Sequence, residues 1–164
     1  MYYPIELKKQ QGFTLIELMI VVGLVAVLAG LAAPQFQTTI QNNRLVTTTN
    51  ELRGAISFAR SEAVKRGSSV VFESTGGTTD WSAGWQVKAG NDIIREWEAL
   101  HSDMKLTVAP GGKASLKFNS QGMVDKGQTW IICDARAGAG NTAQRVELIL
   151  SGMSASGGRS SSCS

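Results

Sequence analysis

Residues 12–35 read Gly12-Phe13-Thr14-Leu15-Ile16-Glu17-Leu18-Met19-Ile20-Val21-Val22-Gly23-Leu24-Val25-Ala26-Val27-Leu28-Ala29-Gly30-Leu31-Ala32-Ala33-Pro34-Gln35. The 21 residues from Phe13 to Ala33 contain one ionisable side chain, Glu17. As a helix rising about 1.5 Å per residue they span roughly 31 Å, close to the ~30 Å hydrocarbon core of a bilayer. The segment is long enough to cross a membrane. A charge near the bilayer centre costs about 2.5–3.5 kcal/mol on insertion scales, so Glu17, one turn inside the apolar run, needs a physical reason.

Outward from this stretch the charges are asymmetric. Lys8 and Lys9 precede it, and no basic residue occurs between Phe13 and Asn43. The positive-inside rule then keeps the N-terminus cytoplasmic and exports the residues after Ala33. A secretory signal has a shorter apolar core, of about 7–15 residues, ended by an A-x-A-like cleavage site. Here the apolar run is longer and passes through Pro34 into a further helical pattern, which favours retention over removal.

The run Lys8-Lys9-Gln10-Gln11-Gly12-Phe13-Thr14-Leu15-Ile16-Glu17 resembles the prepilin signature of type IV pilins and type II secretion pseudopilins. The resemblance implies cleavage by a prepilin peptidase after Gly12, N-methylation of the new terminus Phe13, and pairing of Glu17 with the N-terminus of a neighbouring subunit during assembly. Phe13 and Glu17 lie four residues apart, on one helical face. Cleavage frees an α-amine, a cation able to make a buried acid tolerable. The blander reading of Glu17, an acid favoured by the helix macrodipole, is worth about 0.3–1 kcal/mol and does not offset insertion.

From residue 35 to residue 66 the pattern stays helical and becomes amphipathic. Leu45, Leu52, Ile56, Ala59 and Ala63 line one face, with Arg44, Arg53, Arg60 and Glu62 on its flanks,. That face is expected to pack on a sheet. Gly23, Gly30 and Pro34 are expected to weaken the middle of the helix, and Gly67 ends it after Lys65 and Arg66. The period then switches to short strands, expected at 69–74, 84–89, 93–99, 105–109, 114–118, 129–134 and 145–151, joined by glycine-rich turns. The tail 154–164 is rich in Ser and Gly and reads as flexible except where Cys163 tethers it,. The fold class is α+β: a long N-terminal helix, half apolar and half amphipathic, packed on antiparallel β-sheets. The expected divisions are a leader at 1–12, a membrane or filament-core helix at 13–34 and a periplasmic domain at 35–164.

The chain has 164 residues and a formal charge of +3, with basic and acidic residues interspersed. That is a solvated surface rather than a nucleic-acid patch. Cys133 and Cys163 lack CxxC spacing and, in an exported domain, are expected to form one disulfide worth about 3–4 kcal/mol in the loop-entropy model. Phe58 to Gly67, Trp81…Gly84-Trp85 and Phe118-Asn119-Ser120-Gln121-Gly122 are similar to the GspH/FimT-type subgroup, which includes minor pilins. Ile132-Cys133-Asp134, with a second cysteine near the end, is more like the minor pilins than the secretion pseudopilins.

The resemblance implies a structural subunit rather than an enzyme, with a fold like that of type IV pilins. It implies as partners the prepilin peptidase, other minor pilins and the major pilin (or pseudopilins), and inner-membrane lipid. The implied location is the bacterial inner membrane, then a pilus or pseudopilus. No cofactor is implied. His101 stands in a loop without zinc-ligand spacing. Glu96 and Glu98 flank Trp97 on a strand and read as a polar face rather than a catalytic pair. Trp81, Trp85, Trp97 and Trp130 read as packing residues rather than a carbohydrate surface. Some FimT-like pilins bind DNA through a G-R-x-R motif after the last strand. Here only Gly158-Arg159 resembles it, displaced downstream, and one cation neutralises about one phosphate. Arg159 is thus the sole candidate nucleic-acid contact.

Overall fold

A computed structural model describes residues 12–134 and 143–160, with side chains for all of these except 31–38, 159 and 160. The chain forms two compact units divided after Thr38. Helix α1, Leu15–Arg66, is the one element found in both. Thr14 opens it. The Glu17 backbone N–H donates to Thr14 Oγ1 at 3.3 Å, and the Leu18 N–H to the Thr14 carbonyl at 3.2 Å. Thr14-x-x-Glu17 has the spacing of a capping box. At the other end Lys65 and Arg66 both pair with Glu62, at 3.8 and 2.8 Å. Gly67 then turns the chain with φ 60°, a conformation costly to residues bearing a Cβ,.

In the second unit α1 buries one stripe, Leu45, Leu52, Ala55, Ile56, Ala59 and Ala63. The stripe joins the core formed by the inner faces of two four-stranded antiparallel sheets. The first sheet has the order β3-β2-β1-β5, with β1 Val70–Ser74, β2 Trp85–Ala89, β3 Asp92–Trp97 and β5 Ser115–Phe118. The second has the order β4-β6-β7-β8, with β4 Met104–Val108, β6 Gln128–Asp134, β7 Ala143–Leu148 and β8 Ser154–Ser160. Alternation decides which side chains turn inward: Val70, Phe72 and Ser74 on β1, and Gln128, Trp130 and Ile132 on β6, are buried,.

The segment before β2 ties the two sheets together. Trp81 N–H donates to the Leu106 carbonyl at 2.8 Å, and Leu106 N–H to Ser82 Oγ at 2.9 Å. Trp81 is thereby fully buried, 5.3 Å centroid to centroid from Trp130 in an edge-on contact and 4.9 Å from Phe72. Trp81, Trp85 and Trp130 are packing residues, as expected. Gly84 comes next at φ 101°, where a Cβ would overlap the Trp97 carbonyl oxygen.

The α+β expectation is met, and each expected strand lies within three residues of an observed one. The tail needs correction. Residues 154–160, read as flexible, form edge strand β8, paired antiparallel to β7 with a register shift between Gln144 and Val146. The small residues that weaken β propensity also let this strand lie close on β7. A Cβ on Gly157 would come within 2.9 Å of both the Arg145 side chain and Glu147 Oε1,.

Candidate assembly site

Gly12, Phe13, Thr14 and Glu17 come together at the start of α1, where the sequence places the processing and assembly residues. Gly12 has no atom within 4 Å of where a Cβ would lie, and Phe13 is 83% exposed. The backbone on both sides of the expected cut is open. Thr14 is the member that sequence reasoning passes over, although the T-x-x-E spacing is its signal. With Glu17 it fixes the first turn immediately after Phe13.

Beyond that turn the large apolar side chains from Leu15 to Leu28 are all 52–78% exposed. They surround the helix instead of forming a stripe, so no single core face can satisfy them. Burying each is worth about 1.5–3 kcal/mol. Left in water, this surface is energetically unfavourable. Among the described residues no helix is long and apolar enough to cross a membrane. The expected span continues through residues 31–33, whose side chains are outside the described set.

In the second unit the remaining expected residues are dispersed. Cys133 is buried on β6 and is not a free thiol; its expected partner Cys163 lies outside the described residues. Arg159 stands on β8 opposite Gln144. His101, between β3 and β4, places Nδ1 3.1 Å from Asp103 Oδ2, and Arg44 lies 3.8 Å from the same oxygen. Among the described residues no group of three or more His, Cys, Asp or Glu can hold a metal ion. Glu96 and Glu98 are both exposed, and only Glu96 lies within β3. Between them Trp97 is half-buried against Phe58, with Arg95 4.7 Å above its ring.

Three carboxylates are held below their ordinary range. For Glu62 the first cause is the Arg66 hydrogen bond. For Asp80 it is hydrogen bonding from the Ser82 side chain and backbone. For Asp125 burial pushes upward, but hydrogen bonds from Lys113 and the Lys117 backbone outweigh it. All three close local structure, namely a helix end, a turn and the approach to β5.

An apolar-headed helix whose second half packs on antiparallel sheets is the architecture of the pilin class. The chain belongs to the type II transport protein GspH family, which matches residues 48–153, and a prokaryotic N-terminal methylation motif matches residues 7–33. It is similar to a fimbrial protein of Pseudomonas aeruginosa, 35% identical over 79 residues that make up 48% of this chain and 51% of that protein. It is also similar to the type IV major fimbrial protein FimA of Dichelobacter nodosus, 50% identical over 50 residues, 29% of this chain and 32% of that one. The chain thus spans about half the length, or less, of these relatives. The crystal structure of the Pseudomonas aeruginosa type IV minor pilin FimU superposes with a TM-score of 0.63. The match covers 75% of this chain and 97% of that one at 19% identity, so it is a likeness of fold.

Proposed function

We propose that this chain is a minor type IV pilin that takes part in priming or tip assembly of a pilus. In this reading residues 1–12 are a leader removed after Gly12, and Phe13 becomes the N-methylated terminus. Residues 13–34 hold the precursor in the inner membrane, with residues 35–164 in the periplasm, and later lie in the filament core. The observation that carries it is the all-round apolar first half of α1, headed by an exposed Gly12-Phe13 and the capped turn Thr14-x-x-Glu17.

The energetics divide the work between these residues. Moving an apolar helix from lipid to a bundle of apolar helices exchanges one hydrocarbon surface for another, so it supplies little driving force. A carboxylate is different: it is costly in lipid and is relieved by the α-amine of a neighbouring processed chain. Glu17 thus supplies direction and register, while the apolar residues supply solubility in both environments.

Glu17→Ala tests this. The variant is expected to reach the inner membrane at the normal level and to be missing from sheared surface filaments. Normal filament content of the variant would remove the role given to Glu17. A second reading, a minor pseudopilin of type II secretion, is favoured by the family match over 48–153. Deleting the gene separates them: loss of surface pili and twitching supports the pilin, and loss of exoprotein secretion the pseudopilin. Nucleic-acid binding rests on Arg159, the position that resembles the DNA-binding motif of some FimT-like pilins.

A further inference from the structure

Arg53 and Arg60 lie seven residues apart on α1, on one flank and about 10 Å apart along the axis. They line a groove of about 500 Å³ whose other wall is the β7–β8 turn, Gly152 to Ser154. Its floor on the helix is made of small residues, Asn50, Gly54 and Ser57. No acidic residue lines it, and neither arginine has an ion-pair partner among the described residues. Arg53 Nε is buried without a hydrogen-bond acceptor. A desolvated guanidinium donor with no acceptor is costly, and an incoming carboxylate would relieve it.

The groove has an apolar border. Arg60 and Val64 pack against Gly122, and Gly152 lies against Gly122 and Arg60. Val124 N–H donates to the Leu150 carbonyl at 3.0 Å, joining the turn at 119–122 to the one at 149–152. Around these turns Val64, Met123, Ile149, Leu150 and Met153 are 44–62% exposed. Arginine set among exposed apolar side chains is the composition of a protein interface. A nucleic-acid groove needs a longer run of cations, and two arginines neutralise only about two phosphates.

The opposite flank of α1 is mixed in charge: Glu51 lies about half a helical turn around from Arg53 and Arg60, beside a cleft lined also by Glu96, Glu98, Arg44 and His101. The Arg53–Arg60 groove, with two arginines and no acid in its lining, is by contrast single-signed and suited to a partner surface that supplies carboxylates,.

We propose that the Arg53–Arg60 groove is a docking surface for the acidic flank of a neighbouring pilin-like subunit, whose carboxylates complete the two arginines while its apolar residues cover Leu150 and Met153. This inference rests on the assembly role proposed above and assigns it a site in the globular domain, separate from Glu17.

The test uses the full chain in its native host, with a photo-crosslinking phenylalanine analogue in place of Ser57. Irradiated filaments are expected to yield a crosslink to a pilin-like subunit, at a segment bearing Asp or Glu. Combining Arg53→Glu with Arg60→Glu is expected to lower filament incorporation at least about tenfold, with the thermal unfolding of the domain unchanged. Arg53→Lys with Arg60→Lys should retain part of it. Unchanged incorporation after charge reversal overturns the proposal, as does a crosslink to nucleic acid or to a segment without acids. Wild-type chain absent from filaments overturns the assembly reading and this inference together, whereas wild type and charge-reversed chain both present overturns this inference alone.

Discussion

The two halves of α1 share a backbone conformation and differ in what surrounds them. From Leu15 to Leu28 every large apolar side chain is exposed, whereas from Leu45 to Ala63 the apolar residues form one buried stripe. The first half has no inside in the isolated chain, and the second closes a core with two sheets. Substitutions in the first half should therefore register in assembly, and substitutions in the second in folding.

The largest effect tests this division directly. Trp130→Ala removes a fully buried ring that meets Trp81 and Phe72 and is expected to destabilise the domain by about 3–5 kcal/mol in denaturant unfolding. Leu24→Ala should leave the same transition within about 0.5 kcal/mol. Equal effects would erase the distinction between the halves. Next in size is the bond at Cys133. Reduction, or Cys133→Ser, is expected to cost about 3–4 kcal/mol, and the non-reduced chain should show no free thiol at Cys133 or Cys163. A titratable thiol would remove the expected pairing. Smaller again, Thr14→Ala should fray the first turn by about 0.5–2 kcal/mol. Faster amide exchange at Glu17 would be the readout, with the domain transition unmoved.

The smallest effect concerns pH. Glu62, Asp80 and Asp125 have carboxyls lowered from reference values of 4.5, 3.8 and 3.8. A group with a lowered folded value stabilises fully above its unfolded value and loses that contribution as pH falls through the folded one. Domain stability should thus decline on acidification below the ordinary carboxylate range. Asp125→Asn should flatten that decline, and an unchanged slope would remove Asp125 from it.

The sequence shows the first half of α1 clearly, because an uninterrupted apolar run has one reading in terms of period and length. The stripe at Leu45, Leu52, Ile56, Ala59 and Ala63 is equally legible from its spacing. Strand β8 is not, because Ser, Ala and Gly give no alternation and its position depends on pairing with β7. Glu96 and Glu98 read as sharing a strand that in fact ends at Trp97, since where a strand stops is set by its partner. Of the residues proposed for processing and assembly, Gly12, Phe13 and Glu17 are legible as a motif. The groove of Arg53 and Arg60 is not, because its second wall comes from a turn about a hundred residues away. Local patterns reveal what a helix buries. They do not reveal what a distant turn brings beside it.

The central claim is that the exposed apolar helix becomes a mature N-terminus beginning at Phe13. Intact-mass and N-terminal sequence analysis of the chain isolated from its host membrane tests it most directly. The expected result is a chain beginning with N-methylated Phe13, and conversion to the full precursor when Gly12→Ala is introduced. A wild-type chain that retains Gly12, or begins at any other residue, would contradict it.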